Sequence, residues 1–240
     1  MNIRIDFAFQ KERIPVDYRS FILSFIKHSL EEYNENLYLK YYENDNPVMK
    51  TYTFSAFLGR AIFEKQGILL KDKKIVLHIS DYDLQNALHL YNAFMVQYDK
   101  QKQFPVLENS FVITNIHYTL EKENEEDSII VKMLSPLLVR HHQKGEKDIY
   151  YTFDDVEFKE ELKTNIQNMI HHFGLPFTME NFDIVPIKNK KTVIQLYHSY
   201  KNASLGIFQI KGDPELLDFL TKAGMGSLRS SGFGHFKIIG

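Results

Sequence analysis

The stretch A-G-M-G-S-L-R-S-S-G-F-G-H-F-K, Ala223 to Lys237, decides how this chain is read. Four of the 11 glycines sit in it as two G-x-G pairs, Gly224/Gly226 and Gly232/Gly234, with Ser227, Arg229, Ser230 and Ser231 between them. Glycine turns the backbone through positive φ and lets a ligand approach the main chain closely, so a loop of this composition suits a phosphate. Upstream, G-D-P-E-L-L-D-F-L-T-K-A-G (Gly212 to Gly224) predicts a short helix. Asp213 is its N-cap, Pro214 its first position, Leu216, Leu217 and Leu220 its apolar face, and Gly224 its stop. Downstream, Phe233 to Ile239 predicts a strand. Nucleotide-binding loops run strand, loop, helix and seat the phosphate on the helix N-terminus. This one runs helix, loop, strand, which argues against a nucleotide cofactor.

The 240 residues suffice for one large domain or for two, each able to bury a core. With 44% hydrophobic and 25% charged residues the composition is that of an ordinary globular protein. No cysteine is present, which excludes disulfides, thiolate metal sites and thiol nucleophiles and fits a cytoplasmic protein. No signal peptide or membrane-spanning run is read. The net charge of −2 hides an asymmetry: Pro186 to Gly240 holds eight Lys/Arg and three Asp/Glu, a balance of +5, which leaves −7 for residues 1–185. The basic excess surrounds the glycine loop, as an anion-binding face requires.

Along the chain, Ile3, Ile5, Phe7 and Phe9 alternate as a half-buried strand. Asp17 caps a helix with Phe21, Ile22, Phe25, Ile26 and Leu30 on one side. Tyr38 to Phe57 reads as a Tyr- and Lys-rich loop leading into a strand from about Thr51. Ile68 to Leu70 and Lys74 to Ile79 read as a hairpin, Asp81 to Tyr98 as a helix through Leu84, Leu88, Tyr91, Phe94 and Met95, and Phe111 to Leu120 as a bulged strand. That order, βαββαβ, is ferredoxin-like and shared with RNA-recognition modules. The acidic run Glu121 to Asp127 reads as a linker.

The order then repeats. A strand at Ser128 to Leu134 precedes a strand pair near Leu137 to Arg140 and Asp148 to Thr152, and a helix from Asp154 to Phe173. Strands near Phe182 to Ile187, Thr192 to Tyr200 and Leu205 to Lys211 lead to the helix, loop and last strand already described. The expected fold class is α+β, two tandem ferredoxin-like domains, 1–123 and 128–240, the second carrying the Gly-rich loop at 223–234. Phe111, Tyr118, Tyr197 and Tyr200 are aromatics that either stack on bases or pack in the core.

The tail from Gly206 to Ile238 resembles the C-terminal signature of the CRISPR-associated repeat-RNA endoribonucleases of the RAMP superfamily: a hydrophobic residue and G-x-G, five residues including a basic one, then G-F-G. M-L-S-P-L-L-V (Met133 to Val139), Ile14-Pro15 and Thr53-Phe54-Ser55 also match in order and spacing. The resemblance implies a protein that binds CRISPR repeat RNA and cuts it once per repeat, with no metal and no other cofactor. The ribose 2′-OH attacks the adjacent phosphate, leaving a 2′,3′-cyclic phosphate and a 5′-hydroxyl. The same resemblance leaves open a catalytically silent repeat-RNA-binding relative, a subunit of a CRISPR effector complex, and a homodimer.

Many members use a Tyr late in the first helix, a His in the following loop and a Lys before the next strand. Lys50, three residues ahead of Thr53, matches the Lys. The Tyr position falls at about Lys27, next to His28, and the loop His falls near Lys40, where the chain has Tyr38-Leu39-Lys40-Tyr41-Tyr42. The catalytic expectation is therefore His28 as general base or acid, histidine being the side chain that changes charge near neutral pH. Tyr41 or Tyr42 would orient the ribose or donate a proton, and Lys40 and Lys50 would steady phosphate. The RNA-binding expectation is the loop: Gly224, Gly226, Ser227, Arg229, Ser230, Ser231, Gly232 and Gly234, with the Arg229 guanidinium as a bidentate phosphate clamp. His28 also reads as a solvated helix residue, the tyrosines as packing, the lysines as a solvated face, and His235 as a half-buried strand residue. The pairs His141/His142 and His171/His172 diverge on a strand or a helix and do not chelate readily, so no metal site is expected.

Overall fold

A computed structural model describes residues 1–42, 48–143, 145–196 and 199–240. Contacts gather the chain into two units, one formed mainly by Met1–Thr51 and Ala56–Leu120, the other mainly by Tyr52–Ser55, Glu121–Ile194 and Ser199–Gly240.

The first unit runs β1 (Asn2–Phe9), β2 (Arg13–Ile14), α1 (Tyr18–Tyr33), α2 (Glu35–Tyr42), β3 (Tyr52–Phe57, whose Tyr52–Ser55 gather with the second unit), β4 (Ala61–Glu64), β5 (Gly67–Leu70), β6 (Lys74–Asp81), α3 (Leu84–Asp99), β7 (Phe104–Val106) and β8 (Asn109–Thr119). Its main sheet has the order β3-β6-β1-β8-β7. The alternation in β1 buries Ile3, Ile5, Phe7 and Phe9. Ile5 lies opposite Leu77 of β6 and Ile116 of β8, and the β8 register slips between Asp6 and Phe7, the expected bulge. α1 buries Ile22, Phe25, Ile26 and Leu30. The Phe25 ring meets Phe7 at 5.1 Å, Phe94 at 5.3 Å and Phe104 at 4.8 Å, an aromatic core under the helix.

The second unit runs β9 (Ser128–Met133), β10 (Val139–His141), β11 (Ile149–Tyr151), α4 (Phe158–Phe173), β12 (Asp183–Leu196), β13 (Ser199–Lys211), α5 (Pro214–Ala223), a 3-10 turn at Arg229–Ser231 and β14 (Phe236–Ile238). Its sheet order is β12-β13-β9-β14, with β10 and β11 as a separate antiparallel pair. Counted by the main strands alone, both units have the spatial order second, third, first, fourth. Each is ferredoxin-like, and the fold is two such domains in tandem.

Several expectations need correction. Tyr38 to Tyr42 is not loop but the end of α2, which the Asn34 side chain caps by accepting the Leu37 N–H at 3.1 Å. α2 buries no residue, so it has no apolar stripe to announce it. The hairpin at 68–79 does not exist: β5 joins β2 and β4 in a small sheet, and β6 joins β1. On α3 the buried face is Ala87, Leu90, Ala93, Phe94 and Gln97, while Leu84 and Leu88 are exposed. Two small residues and an amide sit where the spacing favours large apolar ones. The strands read between Phe182 and Lys211 are the two long strands β12 and β13. Tyr197, one of the candidate stacking aromatics, lies outside the described residues.

Candidate nucleic-acid interface

The end of α2 and the segment before β3 bring Tyr41, Tyr42, Lys40 and Lys50 together. Tyr42 collects two ammonium groups, Lys50 Nζ at 4.5 Å and Lys27 Nζ at 4.9 Å from its ring centroid. Lys40 Nζ lies 5.9 Å from the Tyr41 ring, and Tyr38 packs on Tyr42 at 5.5 Å. Each ammonium is attracted by the negative face of its ring, and Lys50 Nζ also donates to the Val48 carbonyl at 3.4 Å. Burial, and then the neighbouring Lys27 charge, push the Lys50 ammonium below its ordinary value. Burial pushes the Tyr41 hydroxyl up, helped by the charges of Asp81 and Asp83, so Tyr41 keeps its proton.

His28 has different partners. Its Nε2 is 2.8 Å from Lys102 Nζ, with Glu32 Oε2 at 3.6 Å, and its Nδ1 is 3.9 Å from Glu31. The ring stands edge-on to Phe104. Glu32 is held by the Gln97 amide at 2.5 Å and by Lys100 and Lys102, and those hydrogen bonds pull its carboxyl down to about 2. A permanent carboxylate therefore stands beside the imidazole at every working pH. Between α1 and the segment leading into β7 opens a pocket of about 460 Å³. Ser24, Lys27, His28, Glu31, Tyr38 and Lys102 line its rim over Phe25, Phe104 and Phe111. Lys27 thus belongs to both groups. Sequence reasoning missed Lys102 and Gln97, which lie far along the chain from His28, and Glu32, one helical turn after it on the same face of α1.

The glycine loop is built quite differently. α5 ends at Gly224, whose N–H bonds the Leu220 carbonyl. Asp213 holds the N-cap position without a side-chain cap, its carboxylate accepting instead from Thr178 at 3.1 Å and Asn181 at 2.9 Å. Gly224, Gly226, Gly232 and Gly234 are all buried, and Ser227, Ser230 and Ser231 are half-buried. A Cβ on Gly234 would stand 1.8 Å from the Met225 carbonyl oxygen, and one on Gly226 2.4 Å from that of Leu138. These glycines serve the approach of backbone to backbone.

Arg229, expected as an outward phosphate clamp, is 5% exposed. Its Nη1 donates to the Ala223 carbonyl at 2.6 Å, and its guanidinium lies 5.9 Å from the Phe173 ring. It closes the C-terminal end of α5, where helix carbonyls lack intrahelical donors. Ser227 Oγ donates to Asn165 Oδ1 at 2.6 Å, tying the loop to α4. Thr53 Oγ1 donates to the Phe233 carbonyl at 2.9 Å, and Ser55 Oγ is 2.9 Å from His235 Nδ1. His235 is buried rather than half-buried. His141 and His142 bind separate carboxylates, Glu161 at 2.9 Å and Asp148 at 2.7 Å.

Among the described residues no helix is long and apolar enough to cross a membrane. The family model described as CRISPR associated protein Cas6, C-terminal, matches residues 119–238. The CRISPR-associated endoribonuclease-like protein Cas6nc of Pyrococcus horikoshii is 26% identical over 225 residues, 86% of this chain and 92% of that one. The Cas6 endoribonuclease-like protein of Pyrococcus furiosus is 28% identical over 197 residues, 78% of each. The solved structure of a Cas6-related protein from Pyrococcus furiosus superposes with a TM-score of 0.84 at 25% identity, covering 100% of this chain and 98% of that one. That of a RAMP protein binding different RNA substrates gives a TM-score of 0.83 at 22% identity over 100% of both chains.

Proposed function

The chain belongs to the family of CRISPR associated protein Cas6, and on that premise we propose that it binds the repeat of a CRISPR precursor RNA and cuts it without a metal ion. The observation that carries this reading is the placement of Lys27, which shares the Tyr42 ring with Lys50 and also lines the pocket with His28 and Lys102. A phosphate arriving there meets ammonium groups and an imidazole together.

The reaction needs no protein nucleophile, because the ribose supplies it. His28 takes the 2′-OH proton, the 2′-oxygen attacks the adjacent phosphorus, the bond from phosphorus to the 5′-oxygen breaks, and that oxygen takes a proton. Lys27 and Lys50 offset the charge that gathers on the phosphoryl oxygens. Lys50, with its lowered affinity for a proton, is suited to protonate the leaving oxygen. Tyr41 stays protonated and orients the ribose by donating a hydrogen bond. The products are a 2′,3′-cyclic phosphate and a 5′-hydroxyl.

A second reading, RNA binding without cleavage, is favoured by one feature. Glu31 and Glu32 stand within 4 Å of the imidazole and repel phosphate. Incubating the protein with a labelled repeat RNA in EDTA separates the two. One cut ending in a cyclic phosphate supports the nuclease, and binding with no cut at any pH supports the silent relative. If cutting survives His28→Ala within a fewfold, His28 is not the base.

A further inference from the structure

Asp81 ends β6 as a buried carboxyl, 1% exposed. Its Oδ1 accepts the Asp83 N–H at 2.9 Å, and the Asp83 side chain in turn accepts the Asn86 N–H at 3.1 Å. Thr51 follows Lys50 directly in the chain. Thr51 Oγ1 accepts from Asn86 Nδ2 at 3.2 Å. One buried group is thereby joined, through Asp83 and Asn86, to the segment that carries Lys50. A carboxyl in such a place costs stability whenever it ionises, a cost that an amide or a hydroxyl would avoid. We propose that Asp81 is a positioning residue for the Lys50/Tyr42 cluster, holding Thr51 through Asp83 and Asn86 so that the segment carrying Lys50 is fixed against the start of α3. The proposal rests on the reading that this cluster receives RNA phosphate.

The titratable groups that face Asp81 come from three elements. Met1, just ahead of β1, donates its terminal ammonium to the Asp81 carbonyl at 3.3 Å and favours the carboxylate. Asp83 at the N-cap of α3 disfavours it, and Tyr41 on α2 lies near enough to have its own ionisation opposed by Asp81. Burial outweighs the rest and pushes the carboxyl up to about 7. The folded value lies above the unfolded one. The stability that the protonated form contributes is therefore complete below about pH 4 and lost as pH rises through about 7. Over the same interval the ionised carboxyl accepts the Asp83 hydrogen bond more strongly. Stability and positioning of the cluster should accordingly move in opposite directions with pH.

The test uses the wild type, Asp81→Asn and Thr51→Val, with repeat-RNA affinity, melting temperature and near-UV circular dichroism followed from pH 5.5 to 8.5. The near-UV signal reports aromatic packing without tryptophan, because the chain has none. The wild-type affinity divided by that of Asp81→Asn should rise at least threefold between pH 6 and pH 8, while the difference in melting temperature falls. Thr51→Val should keep the pH slope of the melting temperature and lose that of the affinity. A constant affinity ratio, or one that falls together with stability, overturns the proposal. If no form binds RNA at any pH, the RNA reading fails on its own. The proposed link is then decided by the dichroism, where a transition near pH 7 present in the wild type and missing in Asp81→Asn upholds it and identical curves overturn it.

Discussion

The glycine loop and the cluster on α1 and α2 are opposite kinds of structure. The loop is buried, closed by backbone hydrogen bonds and intolerant of a single methyl group at Gly226 or Gly234. The cluster is half-exposed, held by lysines over tyrosine faces and by a histidine between a lysine and two glutamates. The loop carries the most recognisable residues of the chain, and much of what it recognises is itself: Arg229 braces α5, Ser227 reaches α4, and Thr53 and Ser55 bond Phe233 and His235. The difference teaches that a phosphate-loop composition is also the composition of a tight scaffold, and that burial separates the two.

The largest effect that separates the regions should come from Gly234→Ala. With a carbonyl oxygen 1.8 Å from the new Cβ and φ of +69°, the loop must open, at a cost above about 4 kcal/mol. Urea denaturation should show a large loss of stability or no folded protein at all. Tolerance of the alanine would mean that the loop is looser than a scaffold. Next comes Arg229→Ala, which leaves the Ala223 carbonyl unpaired in a buried site and should cost about 2–3 kcal/mol. For a chain of this size that is a fall in melting temperature of roughly 4–12 °C. A melting curve equal to wild type would return Arg229 to the role of an exposed clamp. A smaller loss, about 1 kcal/mol, is expected for Thr53→Val, which removes one hydroxyl donor from the Phe233 carbonyl. By contrast, Lys27→Ala and Lys50→Ala should leave the melting temperature nearly unchanged while weakening RNA binding.

Much of the fold was legible. The alternation of Ile3, Ile5, Phe7 and Phe9, the spacing in α1 and the Asp213-Pro214 start of α5 gave elements where periodicity and capping agree. α2 was hidden because it buries nothing, and the face of α3 was misread because Ala87, Ala93 and Gln97 do the packing there. The hairpin at 68–79 failed because strand neighbours in sequence went to different sheets, which no local signal encodes. Of the candidate site, the grouping of Tyr41, Tyr42, Lys40 and Lys50 follows from their closeness in sequence. Lys102, which contacts His28 from 74 residues away, does not. What the sequence did not show of Arg229 is its nearest partner: a guanidinium next to a helix C-terminus meets a free carbonyl, here that of Ala223.

The proposed function requires that phosphate is met by the lysine and tyrosine cluster and not by Arg229 of the glycine loop. The salt dependence of repeat-RNA binding, measured for Arg229→Ala, Lys27→Ala and Lys50→Ala at a temperature where all are folded, tests it most directly. Each lysine variant should lower the slope of log affinity against log salt by about 0.7–1, the signature of one lost phosphate contact, while Arg229→Ala leaves it at the wild-type value. A slope that falls for Arg229→Ala and holds for both lysine variants would contradict it.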